Sequence, residues 1–421
     1  MKVLLIGSGG REHALAWKIQ QSPRLKKLYI APGNAGTAKL GENVSIGTLE
    51  IRKLANFSKE KAIDLTVVGP DEAFAIGIVD YFEAQGLRIW GPSKAAAQLE
   101  SSKAFSKALM QEAGIPTAEF RVCTEHDEAL AYIREKGAPI VVKASGLALG
   151  RGAYVCTTLE EAEAALDEIM VQKVHKHAGK EVVVEEFLDG KEISIHALCD
   201  GESYVMLPSS QDHKRALDGD RGKNTGGMGT IAPLPFVDSA TVKEIEEKIV
   251  RPTLDVMRER GTPFKGLLYP GLILTKSGPK VLEYNARFGD PETQVYMRLL
   301  KSDILDLFEA CINDTLRAQQ IHWEEGYAAN VVLASGGYPD IYKKGLPITG
   351  IEGAEKVPGV VVFHAGTKKE EGKLVTNGGR VLGISAVGKT LQQALDSAYE
   401  AADEIQFEGK HLRRDIGVKA L

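Results

Sequence analysis

The sequence lacks the features that mark several classes of protein. Its four cysteines, Cys123, Cys156, Cys199 and Cys311, are scattered, and no two of them form a C-x-x-C pair. This spacing argues against a disulfide framework and against a zinc site, and it predicts reduced thiols and a cytoplasmic location. No apolar run approaches the roughly 20 residues of a membrane span, and the N-terminus has no signal-peptide anatomy.

Neither charge sign dominates the composition, and no repeat or low-complexity tract is present. The net charge is −5, with 43% hydrophobic and 26% charged residues. These values are typical of a soluble globular protein and give no reason to expect a nucleic-acid or membrane partner. The length of 421 residues exceeds what one hydrophobic core normally supports, so several domains are expected.

Short apolar runs alternate with helical stretches through the first 100 residues. The apolar runs at residues 3–6, 28–31, 65–68 and 87–90 predict four strands, most of them followed by turns rich in Gly, Asn or Pro. This alternation predicts a doubly wound parallel α/β domain over residues 1–101. A mixed α/β region follows over 102–325, interrupted by a polar, glycine-rich loop at 211–229, and a small α+β domain is predicted over 326–421.

A glycine-rich turn, GSGGRE at residues 7–12, follows the first predicted strand. Such a turn can place backbone N–H groups and a helix N-terminus against an anion. A dinucleotide is disfavoured, because Glu12 stands where the fingerprint has its third glycine and no carboxylate ends the second strand. A phosphate on a smaller ligand is favoured, and a tight turn with no ligand remains the alternative.

The stretch EYNARFGDPETQ at residues 283–294 has the strongest chemical signal. Residues two apart on a strand share a face, so Glu283, Asn285 and Arg287 are expected to project together. Carboxylate and amide oxygens suit Mg²⁺, and a guanidinium suits phosphate or carboxylate. An exposed strand face with a local ion pair is the alternative. Asp290, followed by Pro291, also has the pattern of a helix N-cap.

Three further stretches fit phosphate or nucleotide binding, although each alone is weak. Lys143 ends a predicted strand and precedes a loop with Gly146, Gly150 and Gly152, which suits a lysine on phosphate beneath a flexible lid. The strand that ends at residues 185–188 offers backbone groups for an adenine edge, or it simply leaves the core. Lys103 is a phosphate candidate whose default interpretation is a solvated lysine.

The order of these stretches resembles the ATP-grasp enzymes, and within them the phosphoribosylamine–glycine ligase family, also called glycinamide ribonucleotide synthetases. The resemblance covers nearly the whole chain. The motifs that carry it are GSGGREHA (7–14), GPSKAAAQLE (91–100), SKAF (102–105), QDHKR (211–215), NTGGMG (224–229), RFGDPETQ (287–294) and ASGGYP (334–339). The 224–229 and 287–294 motifs are specific, whereas other ATP-grasp ligases share the Glu-x-Asn pair.

The resemblance implies an ATP-dependent carbon–nitrogen ligase that couples glycine to 5-phosphoribosylamine through a glycyl acyl-phosphate. It implies ATP as co-substrate, Mg²⁺ or Mn²⁺ as the metal, and an ATP-grasp fold in two subdomains with a mobile ATP lid at about 120–190. The partners would be small molecules only, and the chain is expected to be a monomer or a weak homodimer.

The same resemblance implies a role for each matching residue. The metal ligands would be Glu283 and Asn285. The catalytic residues would be Arg287, Asp212, Lys214 and Asp290. The ATP-binding residues would be Lys103, Lys143, Gly146, Gly150, Gly152, Glu185, Glu186, Phe187, Leu188 and Glu192. The phosphoribosylamine-binding residues would be Gly9, Gly10, Arg11, Glu12, Gly33, Asn34, Pro70 and Asp71. Glycine and the closing loop would involve Asn224, Thr225, Gly226, Gly227, Met228 and Gly229.

The chain departs from the family pattern at a few positions. Ser145 and Arg151 stand where the pattern usually has Asp and Lys, and Leu149 stands where a small residue is common. Ser101 and Pro270 are also unusual. Residues 267–274 offer no acid as a further metal ligand, which leaves the number of metal ions open. Another carboxylate–amine or bicarbonate ligase of this fold, a non-catalytic small-molecule sensor and a nicotinamide oxidoreductase are the alternative functions.

Overall fold

The computed structural model describes residues 1–148 and 152–421. The predicted ATP contact at Gly150 and the family departures at Leu149 and Arg151 lie outside these residues. Within the described part of the chain, no helix is both long and apolar enough to cross a bilayer.

The N-terminal region is a parallel five-stranded sheet flanked by helices, as predicted. Its strands are β1 (Lys2–Gly7), β2 (Lys27–Pro32), β3 (Glu42–Asn43), β4 (Leu65–Val68) and β5 (Ile89–Trp90). Its helices are α1 (Gly10–Ile19), α2 (Ile51–Lys61), α3 (Asp71–Ala75), α4 (Ile78–Ala84) and α5 (Gln98–Ser101). The strand order β3-β2-β1-β4-β5 reverses at β1, so the glycine turn after β1 lies at the switch point, where open α/β sheets bind ligands.

A small antiparallel sheet with its own apolar core follows. Helix α6 (Lys103–Glu112), capped by Ser102, leads into β6 (Phe120–Cys123), α7 (His126–Lys136), β7 (Ile140–Ala144), β8 (Ala153–Cys156), α8 (Leu159–Met170) and β9 (Val182–Glu186). The sheet order is β6-β9-β7-β8. One face of the sheet packs on α7 and α8 through buried side chains such as Val142, Ile133 and Leu166.

Residues 191–285 supply the strands of the second half of this region. They are β10 (Lys191–Ser194), β11 (Ala197–Asp200), β12 (Tyr204–Met206), β13 (Gln211–Asp212), β14 (Arg215–Leu217), β15 (Arg221–Asn224), β16 (Gly229–Ala232), β17 (Lys265–Thr275) and β18 (Gly278–Asn285). The large sheet has the order β10-β17-β11-β12, with β18 along β17.

Pro270 lies in the middle of β17, where a missing N–H would normally weaken a ladder. Two strands pair in turn with the same side of β17. The β10 ladder ends where Ser194 lies opposite Gly271, and the β11 ladder begins where Ala197 lies opposite Leu268. Pro270 therefore faces the gap in which the neighbouring strand changes, and this explains how the sheet accommodates a residue that departs from the family pattern.

The helical segment at residues 239–259 is divided in the structure. Helix α9 (Ser239–Ile245) passes through a π-helical turn (Glu246–Val250) into α10 (Arg251–Glu259). Pro252 lacks the N–H that an uninterrupted α-helix would bond to the carbonyl of Lys248, so a local change of helical period at this point is expected. Helices α11 (Glu292–Leu299) and α12 (Ile304–Ile312) follow β18.

A third five-stranded sheet, called the third sheet below, joins the polar segment at 211–229 to the C-terminal part of the chain. The C-terminal elements are β19 (Tyr327–Ala334), α13 (Ile351–Ala354), β20 (Val360–His364), β21 (Thr367–Glu370), β22 (Lys373–Thr376), β23 (Arg380–Gly388) and α14 (Leu391–Glu404). The sheet order is β13-β16-β19-β23-β20. The segment predicted as a loop thus forms strands and a β14–β15 hairpin. The predicted domain boundaries stay predictions, and the β16–β19 ladder crosses the second of them.

Candidate active site

A cleft of about 690 Å³ lies where the small, large and third sheets meet. Many of the predicted site residues line it: Arg11, Asp71, Lys103, Lys143, Gly152, Glu185, Glu186, Phe187, Leu188, Glu192, Asp212, Lys214, Asn224, Thr225, Gly226, Glu283, Asn285, Arg287 and Asp290. Of the other described candidates, these do not: Gly9, Gly10, Glu12, Gly33, Asn34, Pro70, Gly146, Gly227, Met228 and Gly229.

The predicted metal pair lies on the last residues of β18. Burial would raise the pKa of Glu283, but Lys214, Lys103 and Lys143 outweigh it and lower the pKa to about 2. The carboxylate is therefore ionised at physiological pH, as a ligand of a hard cation must be.

The donor set of this pair fits a magnesium-type ion that shares its ligands with phosphate. Asn285 Oδ1 accepts a hydrogen bond from Arg287 Nη2 at 2.9 Å, so its amide is already oriented. Over the described residues, no cluster of three or more His, Cys, Asp or Glu side chains could hold a metal. Glu283 and Asn285 would therefore supply two oxygen donors, and the remaining ligands would be phosphate oxygens and water.

Lys214 stands between two carboxylates of the cleft. Its Nζ lies 3.4 Å from Glu283 Oε1 and 3.7 Å from Glu192 Oε2. Burial would lower the pKa of Lys214, but Glu283 and Glu192 outweigh it and raise the pKa. The ammonium thus remains charged and can contact either an acidic side chain or an incoming phosphate.

Arg287 is held by a carboxylate that was given no role from the sequence. Arg287 Nη2 lies 2.9 Å from Glu100 Oε1, and Glu100 Oε2 accepts from the Ala286 N–H at 2.7 Å. Burial raises the pKa of Glu100 to about 7, against the opposing charge of Arg287. Glu100 ends the 91–100 motif and fixes the guanidinium in the cleft.

Lys143 shares Glu185 with a second lysine. Lys143 Nζ pairs with Glu185 Oε1, and Lys107 Nζ lies 2.5 Å from Glu185 Oε2. All three side chains are buried. Burial would raise the pKa of Glu185, but Lys143 and Lys107 outweigh it and hold the pKa below its ordinary value. Lys107 follows Lys103 by four residues on α6, and this i, i+4 spacing could have suggested that both face the site.

The predicted phosphate loop is built on close packing at its glycines. Lys103 Nζ donates to the Gly146 carbonyl at 3.3 Å. A Cβ at Gly146 would lie 2.7 Å from Ala178 Cα, and one at Gly152 would lie 2.6 Å from Ala148 Cβ. These two glycines are explained by packing, whether or not they also contact phosphate.

The predicted adenine and ribose residues lie together at one end of the cleft. The cleft is lined there by residues from the end of β9 into β10, namely Glu186, Phe187, Leu188 and Glu192. Phe187 is 39% exposed, so its ring is accessible to a flat ligand in the cleft.

Two carboxylates approach each other on the opposite wall. Burial raises the pKa of Asp212 well above its ordinary value, and the charge of Glu292 raises it further. Glu292 accepts hydrogen bonds from Tyr269 Oη at 2.5 Å and from Ser194 Oγ at 3.2 Å. Like charges disfavour joint ionisation, so Asp212 is the group of this pair that is suited to hold a proton. The sequence interpretation included Asp212 but missed Glu292.

The predicted glycine-binding segment at 224–229 is only partly open to the cleft. Asn224, Thr225 and Gly226 line it, whereas Met228 is fully buried. A Cβ at Gly229 would lie 2.8 Å from the Asn330 carbonyl oxygen. Direct substrate contact is therefore available to the first half of the segment, and the second half packs against β19.

The prediction that Asp290 caps α11 was wrong. Pro291 occupies the N-cap position, and no side chain caps this helix. Asp290 Oδ1 accepts from Gln294 Nε2 at 2.8 Å, and Oδ2 lies 3.3 Å from Arg380 Nη2. The carboxylate instead faces the cleft and joins α11 to the C-terminal strands.

The glycine turn after β1 is occupied by Glu12. This buried carboxylate accepts from the Gly9 N–H at 2.6 Å, and a Cβ at Gly69 would lie 1.9 Å from Glu12 Oε1. Arg11 Nε also donates to Glu12, at 2.5 Å. Glu12 thus shapes the turn, while the side chains of Arg11 and Asp71 reach the cleft.

Asn34 has a structural role in this structure. Its side-chain amide donates to the carbonyls of Ser8 at 2.8 Å and His364 at 2.9 Å. Its Oδ1 accepts from the Gly36 and Thr37 N–H groups. These bonds join the second βα turn to the first turn and to β20.

Several cleft residues were not found from the sequence. They are Glu100, Glu292, Tyr338 and Arg380. Lys107, also missed, supports the cleft through Glu185. Glu100, Glu292 and Tyr338 lie inside the quoted motifs, so their motif membership was the available signal. Arg380 lies in the C-terminal region, and no local pattern indicated that it would reach the site.

Comparisons with known proteins identify the family. The models described as phosphoribosylglycinamide synthetase match with the N domain at residues 1–100, the ATP-grasp (A) domain at 101–293 and the C domain at 328–419. The phosphoribosylamine–glycine ligase of Vibrio parahaemolyticus is 50% identical, covering 100% of this chain and 99% of that protein. The ligase of the same name from Caldanaerobacter subterraneus subsp. tengcongensis is 48% identical and covers 99% of each.

A solved structure agrees with these relatives. The crystal structure of phosphoribosylamine–glycine ligase from Thermotoga maritima has a TM-score of 0.83 and 37% identity, and it covers 99% of this chain and 100% of that chain. The resemblance predicted from the motifs is confirmed, together with the ATP-grasp fold. The chain belongs to the phosphoribosylglycinamide synthetase family.

Proposed function

We propose that this chain is an ATP-dependent carbon–nitrogen ligase that joins glycine to 5-phosphoribosylamine. The products would be glycinamide ribonucleotide, ADP and phosphate, in de novo purine (IMP) biosynthesis. The observation that carries the proposal is the meeting of Glu283, Asn285 and Arg287 with Lys103 and Lys143 in one cleft of a chain that belongs to this family.

The reaction must first activate a carboxylate, which is a poor electrophile. Transfer of the γ-phosphoryl group of ATP to a glycine carboxylate oxygen creates a leaving group. Lys103 and Lys143 would steady the phosphates during this transfer, which depends on positioning and charge stabilisation. Glu283 and Asn285 would hold Mg²⁺ (or Mn²⁺), which when bound supplies positive charge to the phosphates.

The acyl phosphate is then attacked by the amine of phosphoribosylamine, and phosphate leaves. Arg287, fixed by Glu100, would stabilise the negative charge that forms on the former carbonyl oxygen when the amine adds to the acyl carbon. Asp212 would take the proton lost by the attacking amine, because burial and the charge of Glu292 raise its pKa and so make its carboxylate a stronger base. Lys214 and Asp290 would position the reacting groups.

Substrate positions follow the same arrangement. Glu186 to Leu188 would contact adenine and Glu192 the ribose, while Arg11 and Asp71 would face the sugar phosphate. The contribution of the other predicted phosphoribosylamine residues would be indirect, through the shape of the turns after β1, β2 and β4. A state of monomer or weak homodimer and a cytoplasmic location remain predictions.

The first experiment measures ADP release with MgATP and glycine, with and without phosphoribosylamine made in situ from ribose 5-phosphate and ammonia. Release that needs both co-substrates, and that is lost in Glu283→Ala, supports the ligase and its metal pair together. Glu244→Ala is the matched control. Glu244 is 35% exposed and pairs with Lys248, much as Glu283 is 34% exposed and pairs with Lys214. Unlike Glu283, Glu244 does not line the cleft.

The outcomes separate the alternatives. Turnover with a different carboxylate or amine, but not with glycine, would assign another ATP-grasp ligase. ATP binding with no turnover beyond background would contradict the proposal and leave a small-molecule sensor on this fold.

A further inference from the structure

Arg380, the first residue of β23, reaches the cleft from the C-terminal region. Its Nη1 donates to the carbonyl oxygens of Gly226 and Asp290, each at 2.5 Å, and lies 3.5 Å from that of Gly227. Its Nη2 lies 3.3 Å from Asp290 Oδ2. The guanidinium thus binds two separate walls of the cleft at once, the 224–229 segment and the start of α11.

The chain around Arg380 is shaped to receive it. A Cβ at Gly226 would lie 3.0 Å from Arg380 Cζ, so the backbone approaches the guanidinium as closely as a glycine allows. The Gly226 N–H donates to Tyr338 Oη at 3.0 Å, so both polar groups of this residue are bound by C-terminal side chains.

The same segment touches a proposed catalytic group on its other side. Gly227 has φ +112°, and a Cβ there would lie 2.5 Å from Asp212 Oδ1. Gly226 and Gly227 therefore lie between Arg380 and Asp212. A shift of this segment toward the space left by a shorter side chain at 380 would change the surroundings of Asp212 and Asp290 together.

We propose that Arg380 is a positioning residue that clamps Gly226–Gly227 to Asp290 and thereby orders the side of the cleft that receives glycine and phosphoribosylamine. This inference rests on the proposed function. The planar fork matters, because one guanidinium reaches two carbonyl oxygens and a carboxylate, whereas a lysine ammonium offers a single point charge. The ATP phosphate lysines Lys103 and Lys143 make no hydrogen bond or ion pair with Arg380 among the described contacts.

The test compares Arg380→Lys and Arg380→Ala with the full-length parent chain. Steady-state kinetics would give KM for glycine and phosphoribosylamine, and calorimetry would give Kd for MgATP without turnover. We expect KM for at least one of the two acceptor-side substrates to rise by about tenfold or more, as for the loss of charged hydrogen bonds. The Kd for MgATP should change by less than about twofold, and Arg380→Lys should rescue little.

Arg298→Lys is the matched control, because Arg298 also donates to a C-terminal carbonyl, that of Gly359 at 2.6 Å, but does not line the cleft. It should leave all three constants unchanged. Amide hydrogen exchange of a peptide covering 224–229 supplies a readout that needs no activity. Exchange there should accelerate in the Arg380 variants and not in Arg298→Lys.

The results distinguish two failures. An inactive parent chain would contradict the proposed function, and the exchange measurement would still decide the clamp. In an active parent, unchanged substrate constants or unchanged exchange at 224–229 in the Arg380 variants would overturn this inference alone. An equal loss of MgATP affinity would also overturn it, since the effect would then be general unfolding of the cleft.

Discussion

Replacement of Glu185 by Gln should uncover how strongly the ATP side of the cleft depends on one buried carboxylate. The side chain of Glu185 is 2% exposed and lies between Lys107, 3% exposed, and Lys143, 8% exposed. Glutamine keeps the shape and one acceptor oxygen but removes the charge. Two buried ammonium groups would then face each other with no carboxylate between them.

The magnitude follows from the burial of all three groups. Removing one partner of a buried ion pair typically costs about 3–5 kcal/mol, because the remaining charge is uncompensated. The retained acceptor oxygen favours the lower end, so we expect a loss of about 3 kcal/mol in local stability at pH 7. Solvent provides little screening at such low exposure.

The loss should depend on pH with a defined sign. Burial already lowers the pKa of Lys107, and Glu185 opposes that effect. Without the carboxylate the folded-state pKa falls further, so between that pKa and the unfolded value of about 10.4 the native state holds fewer protons than the unfolded state. Stability of the variant must therefore rise with pH in this range, and its deficit should shrink as the pH rises above neutral.

The parent chain should also lose stability in acid, but through Glu185 itself. The pKa of Glu185 is held below its ordinary value of 4.5, so its contribution is present above that pH. It is lost as the pH falls through the lower folded-state pKa. Glu185→Gln has no such contribution to lose.

Amide hydrogen exchange of peptides from β7 and β9 is the suitable assay, since it reports local opening in a chain of several domains. Glu163→Gln is the control, because Glu163 pairs with Arg134 at 2.8 Å on the exposed surface of the same small sheet's helices. It should cost no more than about 1 kcal/mol. Equal effects of the two variants, or a Glu185→Gln deficit that grows as the pH rises above about 7, would refute the reasoning.

Two further predictions concern the opposite side of the cleft. The kcat/KM of the parent should fall below pH 7, because Glu100, with a pKa of about 7 raised by burial, takes up a proton and releases Arg287. The Glu100→Gln variant should have a lower maximal kcat/KM, and its kcat/KM should not fall below pH 7. If kcat/KM of this variant, measured from about pH 5.5 to 8.5, fell in acid as it does in the parent, the assignment to Glu100 would be contradicted. Gly227→Ala should lower the ligase rate by about tenfold or more, because φ is +112° and the new Cβ would lie 2.5 Å from Asp212 Oδ1. Gly372→Ala is its control, because φ at Gly372 is +77° and a Cβ there would have no atom within 4 Å. If Gly372→Ala lost as much rate as Gly227→Ala, backbone strain alone would be the cause.

Local patterns predicted the parts of the site that single elements create. Glu283 and Asn285 were found because alternate residues of a strand share a face, and β18 places them so. The parallel N-terminal sheet followed from the alternation of apolar runs with helices. The family motifs extended these predictions to residues such as Asp212, whose chemistry has no local signature.

Contacts between distant segments were outside the reach of such patterns. The Arg380–Asp290 pair joins residues 90 positions apart, and Glu100 reaches Ala286 across 186 positions. Glu12 shows the converse case: its place in a glycine turn suggested a ligand contact, but its carboxylate binds the turn itself. Side-chain partners of this kind become visible only when the sheets are assembled.

The pairing of the polar segment limits which part of it can close over substrates. The Thr225 N–H donates to the Lys214 carbonyl at 2.7 Å, and the Met228 N–H donates to that of His213 at 2.9 Å. Beyond Met228, β16 runs along β19 from Gly229 opposite Val331 to Ala232 opposite Ala328. Movement of residues 225–229 as a lid would have to break these bonds.

The β14–β15 hairpin is the part of this segment that lies outside the third sheet. Its turn is exposed, and its two strands pair mainly with each other, through Arg215 with Asn224 and Leu217 with Arg221. Polar contacts with the C-terminal segment oppose its displacement: the Gly219 N–H donates to Asp415 Oδ2 at 2.8 Å, and Arg413 Nη1 donates to the Arg215 carbonyl at 3.1 Å and lies 2.8 Å from Asp220 Oδ1. We therefore expect the hairpin at 215–224 to move over substrates only together with these C-terminal residues or after these contacts break, while 225–229 serves as a fixed wall that β19 and Arg380 hold in place.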